Sequence, residues 1–254
     1  SDKLAASRRS ENRRIATAEM GEEGKIALLA GASGLTGGHL LAALLDAPDF
    51  ARVYAVTRRP LGREHARLAN RIVPFDRLES QLKGLVCHTA FCCLGSSLRA
   101  AGSERAWRQA ELDHVLAFAR TAKAAQAQRF VHLSCAGASA EAREAAGRWR
   151  EECERSLESL GFPSLDILQP GVLLGTRREI EVAALLRALA MPLVNPFLTG
   201  AREARRAIPA RVVASAMLGA ARSGRRGLYR YTHAGIRTLA SAPSRLRTRQ
   251  SKVP

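Results

Sequence analysis

Gly31, Gly34 and Gly37 stand three residues apart. Directly before them runs the apolar stretch 25–30 (KIALLA), and after them come Leu40, Leu41, Leu44 and Leu45. A buried strand, a glycine turn and a new helix, in that order, form a cradle for phosphate. Gly31 lets the chain leave the strand sharply. Gly34 removes a side chain where a diphosphate must approach the backbone, and Gly37 lets the helix lie close to the sheet. The free N–H groups and positive dipole end of that helix then face the anion, with Ser33, Leu35 and Thr36 completing the turn. The pattern predicts dinucleotide binding. Without its flanks it would be no more than a glycine-rich turn.

Further apolar runs end in residues with ligand chemistry. After 52–57 come Arg58 and Arg59, where an NAD-selective site offers an acid to the adenosine ribose. Two guanidinium groups there suit a 2′-phosphate, so NADP(H) is favoured over NAD(H). Asp76 follows 71–75, placed either to accept a hydrogen bond from an adenine amine or to cap the next helix. Gly95, Ser96 and Ser97 follow 86–93, where a glycine lets the backbone pass close to a ribose. Ser134 ends 129–134, with a hydroxyl suited to a substrate carbonyl. Pro170, in Gln169-Pro170-Gly171, gives a rigid turn beside the nicotinamide position.

The elements that must position these residues follow from periodicity. Strands are expected at 25–30, 52–57, 71–75, 86–93, 129–134 and 165–168, with a late strand at 225–231. Helices are expected at 37–46, 77–83, 103–126, 141–160, 178–190 and 209–222. Alternating strands and helices predict an α/β fold, a Rossmann-like doubly wound parallel sheet. Ligands of such sheets bind beyond the carboxyl ends of the strands. Residues 1–24 read as a disordered extension and 25–240 as a single nucleotide-binding domain. Within it, 172–205 forms a small appendage on the substrate side, and 241–254 reads as a basic flexible tail.

The formal net charge is +17. From residue 199 onward there are thirteen Lys or Arg against one acid. This bias raises affinity for polyanions, but it lacks the interleaved aromatics of a nucleic-acid module; an arginine-rich solvated surface is the plainer reading. No apolar run approaches the ~20 residues of a membrane span. No secretory segment is evident, so a cytoplasmic location is expected. The five cysteines show no Cys-x-x-Cys spacing and no histidines at ligand distance in sequence. They read as small buried apolar residues, with no metal site.

Five segments carry a resemblance to the atypical and extended short-chain dehydrogenase/reductase superfamily, in its small NADP-binding branch. They are 29–38 (LAGASGLTGG), 91–103 (FCCLGSSLRAAGS), 130–134 (FVHLS), 160–171 (LGFPSLDILQPG) and 206–216 (RAIPARVVASA). The resemblance implies a reductase acting on a small carbonyl or quinone-like compound, and a homodimer formed through 103–126 and 141–160. It also implies a serine at Ser134 with a tyrosine and a lysine one helical turn apart. Counted in that register, these two positions hold Ala146 and Arg150. All three tyrosines, Tyr54, Tyr229 and Tyr231, lie elsewhere. Arg150 retains a positive charge near the ribose but cannot donate a proton, because guanidinium stays ionised. Either another group serves as acid, with His132 two residues before Ser134 (otherwise a core histidine), or only hydride and solvent are needed. A third reading is a sensor, scaffold or assembly factor that binds NADP(H) without turnover.

Overall fold

The structure is a computed structural model and describes residues 24–95, 101–134, 140–175 and 206–241. Seven parallel strands form one sheet in the order β3-β2-β1-β4-β5-β6-β9. They are β1 (Lys25–Ala30), β2 (Phe50–Thr57), β3 (Leu68–Ile72), β4 (Thr89–Cys92), β5 (Arg129–Leu133), β6 (Ser164–Leu168) and β9 (Gly227–Tyr231). The order reverses between β1 and β4, where the chain stops adding strands to one side and begins on the other. A crevice opens at such a point beyond the strand ends. The doubly wound fold expected from the sequence is therefore present.

Alternation along each strand divides the core between the two faces. Ala27 and Leu29 of β1 pack with Phe91, Val131 and Leu168 beneath α1 (Leu35–Asp46), α6 (Ala210–Arg222) and α7 (His233–Ser241). Leu28 and Ala30 pack with Cys92, Phe130 and Ile167 on the other side. That face is covered by α2 (Leu78–Gln81), α3 (Glu104–Arg108), α4 (His114–Ala124) and α5 (Ala140–Ser159). Four leucines of α1, at 40, 41, 44 and 45, are buried; each contributes roughly 1.5–3 kcal/mol. Gly219 lets α6 and α7 cross closely, since a Cβ there would stand 2.4 Å from the Leu239 carbonyl oxygen.

Several boundaries differ from expectation. The third strand runs Leu68–Ile72 rather than 71–75, because Pro74 cannot donate to a ladder and begins a 3-10 turn instead. The fourth strand is shorter than 86–93. The helix expected over 103–126 is interrupted by a π turn, Gln109–Asp113, between α3 and α4. Three elements escaped sequence reading: the two-residue strands β7 (Leu173–Leu174) and β8 (Ile208–Pro209), which pair in parallel, and α7. The expected helix at 178–190, the extension before residue 24 and the tail after 241 lie outside the described residues.

Three arginines of the basic C-terminal region are engaged internally. Arg222 pairs with Asp49, and Arg225 stacks over Tyr229, 4.5 Å from the ring centre. Arg230 pairs with Glu154 and Glu158. Among the described residues no helix is long and apolar enough to cross a membrane. Cys92 and Cys93 face opposite sides of the sheet, each packed among apolar residues.

Candidate functional site

The glycine turn joins β1 to α1 as its spacing requires. Gly31 has φ +83°, a conformation that side-chain-bearing residues rarely adopt. A Cβ on Gly31 would also stand 2.4 Å from the Cys93 carbonyl oxygen, so the end of β4 lies against the turn. The Gly34 amide donates to the Gly31 carbonyl at 2.9 Å and closes the bend. Gly34 then serves as N-cap of α1 in an extended conformation with no side-chain cap, leaving the first turn of the helix open to an acceptor. Ser33 is exposed and Leu35 half-buried. Thr36 is buried, and its Oγ1 has no hydrogen-bond partner. An orphaned hydroxyl in an uncapped helix start is the arrangement a phosphate oxygen would satisfy. The residues present fit a diphosphate-bearing cofactor.

The carboxyl ends of β2 and β3 form the next wall. Arg58 and Arg59 are exposed there. Asn70 braces their turn: its Nδ2 donates to the Ala55 carbonyl at 3.0 Å and to Thr57 Oγ1 at 2.7 Å, while its Oδ1 accepts from the Leu61 amide at 3.0 Å. Asp76 lies in the 3-10 turn and caps no helix; Pro74 and Arg77 hold the N-cap positions instead. The capping alternative for Asp76 is thereby corrected. His114, at the start of α4, joins this group. Its ring lies 5.1 Å from that of Phe75, and burial followed by the field of Arg58 depresses its pKa.

Gly95, just past β4, is exposed, and a Cβ there would come within 3.1 Å of Glu111 Oε1. Glu111 belongs to the π turn, which swings its carboxylate toward the end of β4. Ser96 and Ser97 lie outside the described residues. Pro170 is buried. Beyond it the chain returns over the glycine turn, and a Cβ on Gly175 would meet Leu35 Cδ1 at 2.8 Å. The rest of the expected substrate-side segment, 176–205, is outside the described residues.

Ser134 stands one residue past β5. Its amide donates to the Leu168 carbonyl at 2.8 Å, and its hydroxyl donates to Glu154 Oε1 on α5 at 3.1 Å. The expectation of a hydroxyl free to bind a carbonyl needs correction, because the nearest acceptor is a carboxylate of the protein. Gln169 Nε2 donates to the same oxygen at 2.8 Å, and Arg230 Nε donates to Oε2 at 3.1 Å. Position 146 lies on α5 two turns before Glu154, with Arg150 between them. Arg150 is half-buried and its Nε has no partner. His132 is buried beneath this group, and its Nδ1 also lacks a partner. Burial depresses its pKa to about 4, against a smaller opposing effect of Glu154. A ring held neutral in the core corrects the reading of His132 as an acid.

Sequence reasoning overlooked Glu154, Arg230, Glu111, His114 and Asn70, and it saw Gln169 only as part of a rigid turn. Glu154 had a legible signal, since residues 146, 150 and 154 share one helical face. Arg230 had none: it reaches Glu154 across a separation of 76 residues.

No family model matches the chain. It is similar to Protein HTATIP2 of Rattus norvegicus, 34% identical over 161 residues, covering 62% of this chain and 66% of the rat protein. It is also similar to Protein fmp52, mitochondrial, of Aspergillus fumigatus, 32% identical over 172 residues, covering 64% and 73%. The mitochondrial name of that relative overturns the expectation of a cytoplasmic location. Among solved structures, the Bordetella bronchiseptica enzyme WbmH in complex with NAD+ shares the fold. Its TM-score is 0.61 at 15% identity, covering 82% of this chain and 76% of that one. At these identities and coverages the chain belongs to the atypical, NAD(P)-binding short-chain dehydrogenase/reductase-like family that includes the HTATIP2 and fmp52 proteins.

Proposed function

We propose that the chain binds NADP(H) in the crevice beyond β1, β2 and β4 and exchanges hydride between it and a small carbonyl or quinone-like compound. The observation that supports this best is Thr36 Oγ1, a buried hydroxyl without a partner in the open first turn of α1. In this reading Gly31, Ser33, Gly34, Leu35, Thr36 and Gly37 hold the diphosphate, largely through backbone amides. Arg58 and Arg59 clamp the 2′-phosphate, and Asp76 with His114 lines the adenine side. Gly95 and Ser96 flank the ribose, while Arg150, Pro170 and Ser134 surround the nicotinamide end. Residues 25–240 act as one domain, with 172–205 shaping the substrate side. The bound cofactor supplies the hydride chemistry, and the protein supplies orientation and exclusion of water.

Fluorescence titration with NADPH tests this. Saturable binding to the unaltered chain, lost in Gly34→Val, is expected. Normal binding by Gly34→Val would show that the diphosphate lies elsewhere.

A second reading has a specific support: position 146 holds alanine where the family's reductases carry their phenol. In that reading the protein binds NADP(H) as a sensor, scaffold or assembly factor. Tight NADPH binding with no oxidation of it by a panel of quinones and aldehydes would favour this reading.

A further inference from the structure

Ser134 lies at the carboxyl edge of the sheet, one residue past β5, with its proton donated to Glu154. Among the described residues Ser134, Gln169 and Arg230 donate to that carboxylate, and of these three only the serine donates and accepts through the same atom. The Gln169 amide group donates without a practical means of losing its proton, and the Arg230 guanidinium stays ionised. Ser134 can therefore hand its proton to Glu154 Oε1 while taking another on its own oxygen. The helical face that lacks an ionisable side chain at Ala146 carries this carboxylate two turns further on. Ser134 touches it from the end of β5.

We propose that Ser134 and Glu154 form a proton path replacing the absent phenol, an inference that rests on the oxidoreductase reading above. In the oxidising direction the O–H proton of a small alcohol passes to Ser134 Oγ as the Ser134 proton passes to Glu154 Oε1. The carbon-bound hydrogen leaves with its electron pair as hydride to an oxidised nicotinamide, and the carbonyl forms. The proton on Glu154 then returns to solvent. Reduction runs the same path backward. Ser134 is the residue that touches substrate; Glu154 acts through it. The substrate class follows from this polarity: with its own proton committed to Glu154, Ser134 presents lone pairs to the crevice and selects a hydroxyl donor.

The groups facing Glu154 leave the path open. Arg230 comes from β9, His132 from β5, and Arg150, Cys153 and Glu158 from α5 itself. Beyond Cys153 lie Cys92 of β4 and Glu111 of the π turn. His132 is neutral at physiological pH, and burial holds the Cys153 thiol protonated, with its pKa at about 12. Neither exchanges a proton near neutrality.

The test compares the unaltered chain with Ser134→Ala and Glu154→Gln, using NADPH fluorescence, calorimetric binding of trifluoroethanol to NADP+-loaded protein, and turnover of small secondary alcohols. Both variants should keep NADPH affinity and lose about 10²–10⁴-fold in turnover. Trifluoroethanol should bind the unaltered chain about tenfold or more tightly than either variant, because Ser134→Ala removes the accepting oxygen and Glu154→Gln removes the charge that holds the serine proton away from it. Glu154 also anchors α5, so Ser134→Ala, which leaves the Gln169 and Arg230 bonds in place, carries the test if Glu154→Gln fails to fold. Turnover by Ser134→Ala with the unaltered rate and pH profile would overturn the path. So would an unaltered chain that binds NADPH but neither oxidises these alcohols nor binds trifluoroethanol. Failure to bind NADPH at all would instead overturn the cofactor reading beneath it.

Discussion

Gly37 lies so close to Gly31 that a Cβ on Gly37 would stand 2.0 Å from the Gly31 carbonyl oxygen. The first turn of α1 is thus pressed against the end of β1, and the glycine turn has its shape because two backbones touch. Gly37→Ala should force them apart, cost about 1–3 kcal/mol of stability through overpacking, and weaken NADPH at least about tenfold. Gly38→Ala is the control. Its Cβ would meet only the Ala32 carbonyl oxygen, at 3.6 Å, so stability should hold or rise by up to about 1 kcal/mol. Denaturant unfolding and NADPH titration measure both effects. Equal behaviour of the two variants would contradict the close contact.

Arg58 and Arg59 are exposed at the end of β2 on a turn braced by Asn70. Replacing both with alanine should weaken NADPH by about tenfold or more, the loss of charge-assisted hydrogen bonds to a phosphate, and leave NADH nearly unchanged. Competition titrations with the two cofactors decide it. Parallel losses would mean that these side chains do not read the 2′-phosphate.

His132 makes stability depend on pH. Its pKa is about 4 in the folded chain against 6.5 in the unfolded one. The unfolded state therefore binds the proton more readily, and stability is complete above the unfolded value and lost as pH falls toward the folded one. Between pH 7.5 and 5 this residue should account for about 2 kcal/mol of lost stability. Urea unfolding of the unaltered chain and of His132→Phe at the two values isolates it, because the other histidines contribute equally to both. An identical pH dependence in the two proteins would refute the assignment.

Arg129 and Asp166 form a buried ion pair, N···O 2.5 Å, away from the crevice. The carboxylate also accepts from Ser164 and from the Tyr231 hydroxyl. Asp166→Asn removes the charge that compensates a buried guanidinium and should cost about 3–5 kcal/mol, with NADPH affinity retained in the folded fraction. Thermal unfolding and cofactor titration together check this. A stable variant with impaired binding would give the pair a role in the site instead.

Much of this molecule is local, and local features were readable. The glycine spacing, the apolar runs before it and the leucines after it placed β1, the turn and α1 within two residues. Where a proline or a π turn intervened, the reading drifted: Pro74 pushed the third strand three residues earlier, and Gln109–Asp113 broke a helix that periodicity presented as continuous. Hydrophobic period reports which face is buried, and five residues of π turn are too few to separate a shift in its phase from ordinary irregularity of the pattern.

The residue types alone determined the strand, glycine turn and helix of residues 25–46, the paired arginines at the end of the second strand and the alanine at position 146. Each depends on neighbours a few positions apart. Tertiary structure alone decided where the Ser134 proton points. That hydroxyl meets Glu154 because α5 packs over the carboxyl edge of β5 and β6, and Arg230 holds the carboxylate there from a strand added last to the sheet. A hydrogen bond between side chains far apart in sequence leaves no period or spacing behind, so only the fold could disclose it.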